Sequence, residues 1–332
     1  MTKIPSINNI SLQNYQNHFY LANVKLGKQS FQLAISTLYS DTWVKGPKCT
    51  SIDHSCHGHI INLSDPTIKT IDDRYLVNKF YLEFDNKTHV RGDVYTGPIT
   101  MGGLSAYYPF GVSRETDGYV GCDGVMGFGL PASSQIAEIT DQMSTFFNDL
   151  GFLYGKAVFS IYLGSGTGGE ISLFGIDSTK FKGNLHFVKL IPHFYWQFDI
   201  SNVKLKAGKY NCGLGINLST AVIDIGTEQM ILEKSVAQYI NLGIGALPYN
   251  TSLGAYPILC SHAKTGKDVV FNFTSFVLSI PASIYVIEHK GWCVSGFNHG
   301  SFPFVVFGNV IARAYYTVFD ESHGTIGFGK AI

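Results

Sequence analysis

The sequence predicts a mostly β protein made of two related halves. Its 332 residues include 36 Gly, 19 Tyr and 24 Phe, and its β-branched and aromatic runs are short and broken by Gly, Asn and Asp, the pattern of strands joined by turns. A chain of this length exceeds the usual ceiling for one hydrophobic core, so two units of roughly 150 residues are expected. Each half carries a loop of similar shape, Ala34-Ile35-Ser36-Thr37-Leu38-Tyr39-Ser40 and Val222-Ile223-Asp224-Ile225-Gly226-Thr227. Two such loops point to a duplicated fold with a cleft between the copies.

The elements follow in order. Tyr20, Ala22, Val24 and Leu26 alternate, Gly27 supplies a turn, and Phe31, Leu33 and Ile35 alternate again, a hairpin that delivers Ser36 to a strand end. A second hairpin is expected over 80–92, with a polar tip at Asp85-Asn86-Lys87-Thr88. One helix is expected from Ser134 to Asn148, where Ile136, Ile139, Met143, Phe146 and Phe147 recur at helical spacing behind a serine cap. The glycine-rich turn 164–169 leads back to a strand at Glu170–Phe174, and the change of composition at Phe181-Lys182-Gly183-Asn184 divides the chain into 1–183 and 184–332. In the second half, strands lead to the Asp224 loop, a short helix follows near Glu233 to Leu242, and hairpins continue to the end. The apolar stretch Phe302 to Phe319 is broken by Gly308, Asn309 and Arg313 well before the about 20 residues of a membrane span. It is expected to form two buried strands around a turn.

Lys and Arg (24) balance Asp and Glu (24), and charged residues are 14% of the chain. There is no basic stripe to draw the chain to nucleic acid or a membrane surface through bulk charge. Met1-Thr2-Lys3-Ile4-Pro5 lacks the apolar core of a signal peptide. Cys49 with Cys56, and Cys260 with Cys293, bracket short segments and are expected to be disulfides, with a Cys122–Cys212 bond as an alternative to two buried thiols. Sequons at Asn9, Asn62, Asn86, Asn217, Asn250 and Asn272 agree with a secreted, extracellular glycoprotein. His54, His57 and His59 beside Cys49 and Cys56 have ligand-like chemistry, but a zinc site would need reduced thiolates. They are expected to be exposed histidines on a disulfide-tied loop, so no metal and no cofactor are expected.

Taken in sequence, these signals resemble those of a pepsin-type aspartic protease, and the likeness covers nearly the whole chain. Leu12-Gln13-Asn14-Tyr15 resembles the family's N-terminal strand, and Asp41-Thr42-Trp43-Val44 occupies the usual place after the first active-site loop. Asp123-Gly124-Val125-Met126-Gly127 and Val305-Val306-Phe307-Gly308-Asn309 resemble the apolar-Gly segments behind the two loops. Phe174–Ser178, Tyr195-Trp196-Gln197 and Tyr315–Asp320 fall in the family's order. Trp292–Phe297 and the ending Ile326–Lys330 resemble degenerate, allergen-like insect members. The resemblance implies a bilobed pepsin-like acid protease fold, with two β-barrel-like lobes, a central cleft and a hairpin flap.

The departures from that family's pattern bear on function. Active members carry an aspartate in each loop, and two close carboxylates cannot both ionise, so one serves as base and the other as acid; aspartic-protease dyads are the standard illustration of that rule. Here Ser36 stands in the first place, Leu38 replaces a glycine, Ile225 replaces a threonine that braces the loops, and Phe84 aligns with the flap tyrosine whose hydroxyl reaches the tryptophan matching Trp43. Asp224 alone is retained. The expectation is therefore a pseudoprotease that binds a peptide or protein in a cleft lined by Thr37, Tyr39, Trp43, Phe84, Gly226 and Thr227, with Phe110 as a further aromatic candidate. The alternatives are an endopeptidase using Asp224 alone, and a secreted structural, storage or inhibitor protein that works through its outer surface. The oligomeric state is not legible.

Overall fold

The computed structural model describes residues 7–71, 79–85, 88–141, 144–164, 168–192, 194–289 and 291–332, with backbone alone at 84 and 85. The expected first hairpin is present: strands Phe19–Leu26 and Gln29–Ser36 pair in antiparallel register, Leu21 opposite Ala34. Its second strand is buried along its last residues and ends at Ser36. The hairpin over 80–92 is present as Lys79–Asp85 against the start of the long strand Thr88–Met101.

A parallel strand lies behind each loop, and the two arrangements match. Gly124–Gly127 runs parallel to Gln29–Ser36, with Ile35 opposite Met126 and Ser36 opposite Gly127. Val305–Phe307 runs parallel to Thr220–Ile223, with Ile223 opposite Phe307. The two pairs carry the loops toward one another, which is the duplication expected from the sequence.

The expected barrel-like lobes are not found. Among the described residues, one sheet of 14 strands runs from Phe181–Lys189 at one edge to Lys69–Thr70 at the other, and these edge strands do not pair with each other. Strands Val158–Tyr162, Gly168–Leu173, Tyr315–Asp320 and Thr325–Ala331 extend that sheet by antiparallel pairing. Closing a barrel requires the two edge strands to bond to each other, and here pairing across the middle of the chain continues the sheet instead. The remaining strands of the second half form separate sheets of five, four and two strands. The division drawn at 183/184 falls inside strand Phe181–Lys189, at an irregularity in its register between Lys182 and His186.

Two other expectations need correction. The single helix over 134–148 is two helices, Gln135–Thr140 and Phe146–Tyr154. The first ends on Asp141 in the left-handed region (φ 54°), and the second restarts behind Thr145, whose hydroxyl accepts from Asn148 N. Between Val305–Phe307 and Tyr315–Asp320 the chain forms a buried helix, Asn309–Ala314, where a turn was expected. The helix near 233–242 is present as Lys234–Ile244 and closes on Gly245.

One hydrophobic core spans the two halves. Phe159 stacks on Phe319 at 4.5 Å and meets Trp196 edge-on at 5.7 Å, and the buried Trp196 Nε1 donates to Phe128 O at 2.9 Å. Satisfying that N–H inside the core fixes the indole in one place. This layer forms part of the packing that holds the loop after Ser36 in register with the second half.

Candidate functional site

The two loops meet as the sequence implies. Ser36 Oγ donates to Asp224 Oδ1 at 3.0 Å. The same oxygen accepts from three backbone amides, Gly226 N at 2.9 Å, Thr37 N at 3.1 Å and Leu38 N at 3.2 Å. Oδ2 accepts from Thr227 Oγ at 2.6 Å. Asp224 is only 4% exposed, and these donors are what a buried carboxylate needs in place of water. Ser36 Oγ in turn accepts from Leu38 N and Tyr39 N, each at 3.3 Å. Its hydroxyl therefore occupies the centre of the first loop, and Asp224 is tied to both loops.

Thr37 braces the loops. Its hydroxyl donates to Ile223 O at 2.8 Å and accepts from Ile225 N at 3.1 Å. Ile225 is fully buried and has no hydroxyl to return the contact, so the brace is one-sided, as the substitution pattern implies. Two glycines nearby leave little room for a side chain. A Cβ on Gly226 would come within 3.2 Å of Asp224 Oδ1 and of Ser36 Cβ, and one on Gly308 would come within 2.5 Å of Thr227 O. Thr227 O also accepts from Asn309 N at 2.8 Å, which fixes the end of the Asp224 loop to the helix behind it.

Leu38 does not hang into open space. It is 4% exposed and packs with Val222, Phe304 and Val306 of the second half, flanked by Tyr39, Tyr195, Ile231 and Phe302. An apolar cluster thus joins the halves where a glycine would leave room beside the carboxylate. Phe302, Phe304 and Tyr195 were not expected at the site from the sequence; the aromatic pair in Ser301-Phe302-Pro303-Phe304, just ahead of strand Val305–Phe307, was the available signal.

Several proposed lining residues sit elsewhere. Thr37 and Trp43 are fully buried, and so is Phe110: they belong to the brace and the core, since their side chains are covered by the elements that carry them. Trp43 meets Tyr119 edge-on at 4.9 Å, within a cluster that includes Phe80 and Leu82 from the 80–92 hairpin. Its Nε1 has no hydrogen-bond partner among the described residues. The Phe84 side chain and Asn86 lie outside the described residues. Tyr39, Gly226 and Thr227 are partly exposed at the junction of the loops.

Asp41, just beyond the first loop, accepts from Ser134 Oγ at 2.5 Å, Gln135 N at 3.0 Å and Ile136 N at 3.1 Å. Burial pushes its carboxyl above the usual range, against the opposing pull of those donors. Lys45 is fully buried, with Nζ on His57 O at 3.0 Å, and burial lowers its pKa. Disulfides Cys49–Cys56 and Cys260–Cys293 form, so the sulfurs beside the histidine loop are committed. His59 stacks on Phe31 at 4.5 Å, and His54 lies 4.9 Å from His57. The Cys122–Cys212 bond does not form. Cys122 is a buried free thiol in the core around Trp43, pushed up to about 11 by burial, while Cys212 is a free thiol on strand Tyr210–Gly213 in the other half. Among the described residues, no helix is long and apolar enough to cross a membrane.

Two loops meeting at a buried aspartate, each backed by a parallel strand, define an aspartic-protease architecture. The chain belongs to the eukaryotic aspartyl protease family, whose model matches residues 19–331. It is 28% identical to embryonic pepsinogen of Gallus gallus over 324 residues, covering 94% of this chain and 80% of that protein. It is 27% identical to pregnancy-associated glycoprotein 1 of Bos taurus over 335 residues (97% and 84%) and to chymosin of Ovis aries over 336 residues (97% and 84%).

Proposed function

We propose that this chain is a catalytically inactive member of its family, an exported glycoprotein that uses the protease body to bind a peptide or protein. The observation that carries the reading is the direct 3.0 Å bond from Ser36 Oγ to Asp224 Oδ1. A dyad holds its water between two carboxylates that share a proton; here a hydroxyl fills the place of one of them, and serine supplies neither an acid nor a base near neutral or acidic pH. Loss of a positioned acid or base removes about 10²–10⁴ in rate. The Leu38 cluster adds to this, because it fills space beside the remaining carboxylate. Kinship with allergen-like insect members rests on Trp292–Phe297 and Ile326–Lys330 alone.

Export is supported by the two disulfides and by sequon asparagines Asn9, Asn62, Asn217 and Asn250, all exposed. A relative named as a glycoprotein fits the same reading. The partly exposed Tyr39, Tyr195 and Phe302 beside the loops suit an extended peptide better than a small polar solute.

The test is turnover of a mixed peptide library from pH 2 to 8, with Asp224→Asn prepared identically. No turnover, or equal background in both samples, is expected. Turnover lost in the variant would mean that Asp224 suffices as a single base. Titration with a statine peptide then separates binding sites: saturable binding places the ligand between the loops, and its absence moves the search to the outer surface.

A further inference from the structure

Beyond the Asp224 loop, the same segment carries a second, half-buried carboxylate that this reading of the function does not use. Glu228 follows Thr227 directly and is held between two histidines from distant parts of the chain. Its Oε2 lies 3.5 Å from His18 Nδ1, on the turn between strands Asn8–Tyr15 and Phe19–Leu26, and its Oε1 lies 3.2 Å from His289 Nε2, at the end of strand Val286–His289. The Glu228 side chain is 13% exposed, against 25% for His289 and 50% for His18. His289 is therefore the stronger partner, because the more exposed pair is screened by solvent.

We infer that Glu228 with His18 and His289 forms a pH-gated joint between the first and last parts of the fold, closed in mildly acidic solution and loosened as pH rises.

The surroundings bear on this from each packed element. Arg313, on helix Asn309–Ala314, donates through Nε to Tyr20 OH at 3.1 Å and through Nη2 to Asn17 O at 3.0 Å, so it crosses the same boundary one layer away. Its charge opposes protonation of His289 and favours ionisation of Tyr20. The Glu228 carboxylate acts in the other direction on both. Trp292 lies 5.4 Å from the His289 ring, and Phe19 lies 4.2 Å from the His18 ring. Glu228 Oε1 has no aligned hydrogen-bond donor among the described residues, so attraction to His289 depends on the imidazolium charge.

The signs are set by two groups. Contact with Glu228 raises His289 above 6.5, against its burial. Stabilisation from His289 is complete below 6.5 and is lost as pH rises through its elevated folded value. Burial disfavours the Glu228 carboxylate, but His18 and His289 together outweigh it and hold Glu228 below 4.5. Stabilisation from Glu228 is present above 4.5 and is lost as pH falls through its lowered folded value. The joint is closed between those limits. It also reaches the site, because Thr227 Oγ holds Asp224 and Thr227 O holds the helix that bears Arg313.

The experiment is amide exchange by mass spectrometry from pH 5 to 8.5, corrected for intrinsic exchange, with the His289 imidazole followed by NMR in the same samples. Protection at 17–20 and 286–289 is expected to fall about tenfold for each unit by which His289 is elevated, with a midpoint coinciding with the His289 titration. His289→Gln should abolish that step while leaving exchange in the strand pair Phe159/Leu173 unchanged. A midpoint that differs from the His289 titration, a step of equal size in the variant, or no step in the native protein would each overturn the joint. Should the variant not fold, coincidence of the two native midpoints decides the question alone.

Discussion

Ser36 and Asp224 are 188 residues apart in sequence and joined by a single hydrogen bond of 3.0 Å. Around that bond the backbone amides of Thr37, Leu38 and Gly226 also converge on Asp224 Oδ1. The carboxylate is thus a fastener between the halves of the molecule, whether or not any chemistry is done there. Donors aimed at a buried anion stabilise it only while the anion is present; taken away, it leaves them orphaned.

Restoring the absent acid tests how far the site has drifted from a dyad. In Ser36→Asp two carboxylates would lie within contact distance in a buried site, and one of them would be forced to stay protonated. A carboxyl raised in the folded state stabilises below its unfolded value and loses that stabilisation as pH rises. The variant is therefore expected to be near native stability at pH 3.5 and less stable by about 1–3 kcal/mol at pH 7, the equivalent of roughly one to two pKa units. Urea denaturation of both proteins across that range measures it.

The one-sided brace gives a sharper expectation. Thr37→Val keeps shape but removes the donor to Ile223 O and leaves the buried Ile225 N without an acceptor. The cost is expected to be about 2–4 kcal/mol, one lost bond plus one orphaned N–H. Thr37→Ser keeps the hydroxyl and should cost only about 1 kcal/mol, for the methyl group. Equal losses in the two variants would show that packing and not the hydroxyl holds the loops together.

Much of this was legible in the residues. Alternation of Phe31, Leu33 and Ile35 placed Ser36 at a strand end, and the two loop sequences implied their meeting. What was not legible depends on contacts between distant segments. The continuation of one sheet through Val158–Tyr162 and Tyr315–Asp320 leaves no mark in either strand alone, so open sheets were read as barrels. Trp43 was read as lining, and Phe110 was left between cleft and core, because an aromatic residue has the same local pattern whether it faces a cleft or a core. The helix break at Asp141 was overlooked because the apolar spacing of Ile139, Phe146 and Phe147 carries through it, and only the left-handed cap interrupts it.

The disulfides should differ in weight. Cys260–Cys293 closes a separation of 33 residues and Cys49–Cys56 one of 7. On loop-closure entropy, Cys260→Ser with Cys293→Ser is expected to cost about 3–4 kcal/mol, and Cys49→Ser with Cys56→Ser about 2 kcal/mol. Thermal or urea unfolding of each double variant under identical conditions checks the order, and a reversed order would mean that folded-state contacts outweigh the entropy of the unfolded chain.

Sequon occupancy should follow exposure. Asn9, Asn62, Asn217 and Asn250 are exposed, whereas Asn272 is half-buried at the end of strand Val269–Asn272 with Nδ2 directed to Lys204 O at 3.3 Å. A glycan on that nitrogen would displace the contact and press on the strand that Lys204 begins. Peptide mapping of protein secreted from a eukaryotic host is expected to find Asn272 unmodified and the four exposed positions carrying most of the glycan.

Asp41 offers a prediction that turns on burial rather than on a paired charge. It accepts three hydrogen bonds at the start of helix Gln135–Thr140, yet it is nearly encased by protein, and burial outweighs those donors to raise its pKa. A carboxyl raised in the folded state stabilises at low pH and loses that contribution as pH climbs through its folded value. Asp41→Asn retains an oxygen for Ile136 N and the Ser134 hydroxyl, gives up the acceptor for Gln135 N at a cost that does not vary with pH, and has no charge to desolvate. Between pH 3.5 and pH 7 the difference in stability is therefore expected to move in favour of the asparagine variant, by about 1.4 kcal/mol for each unit of elevation in the native carboxyl. Parallel urea unfolding at several pH values measures this difference; a change in the opposite direction would mean that the charge-assisted bonds from Ser134, Gln135 and Ile136 dominate the cost of burial.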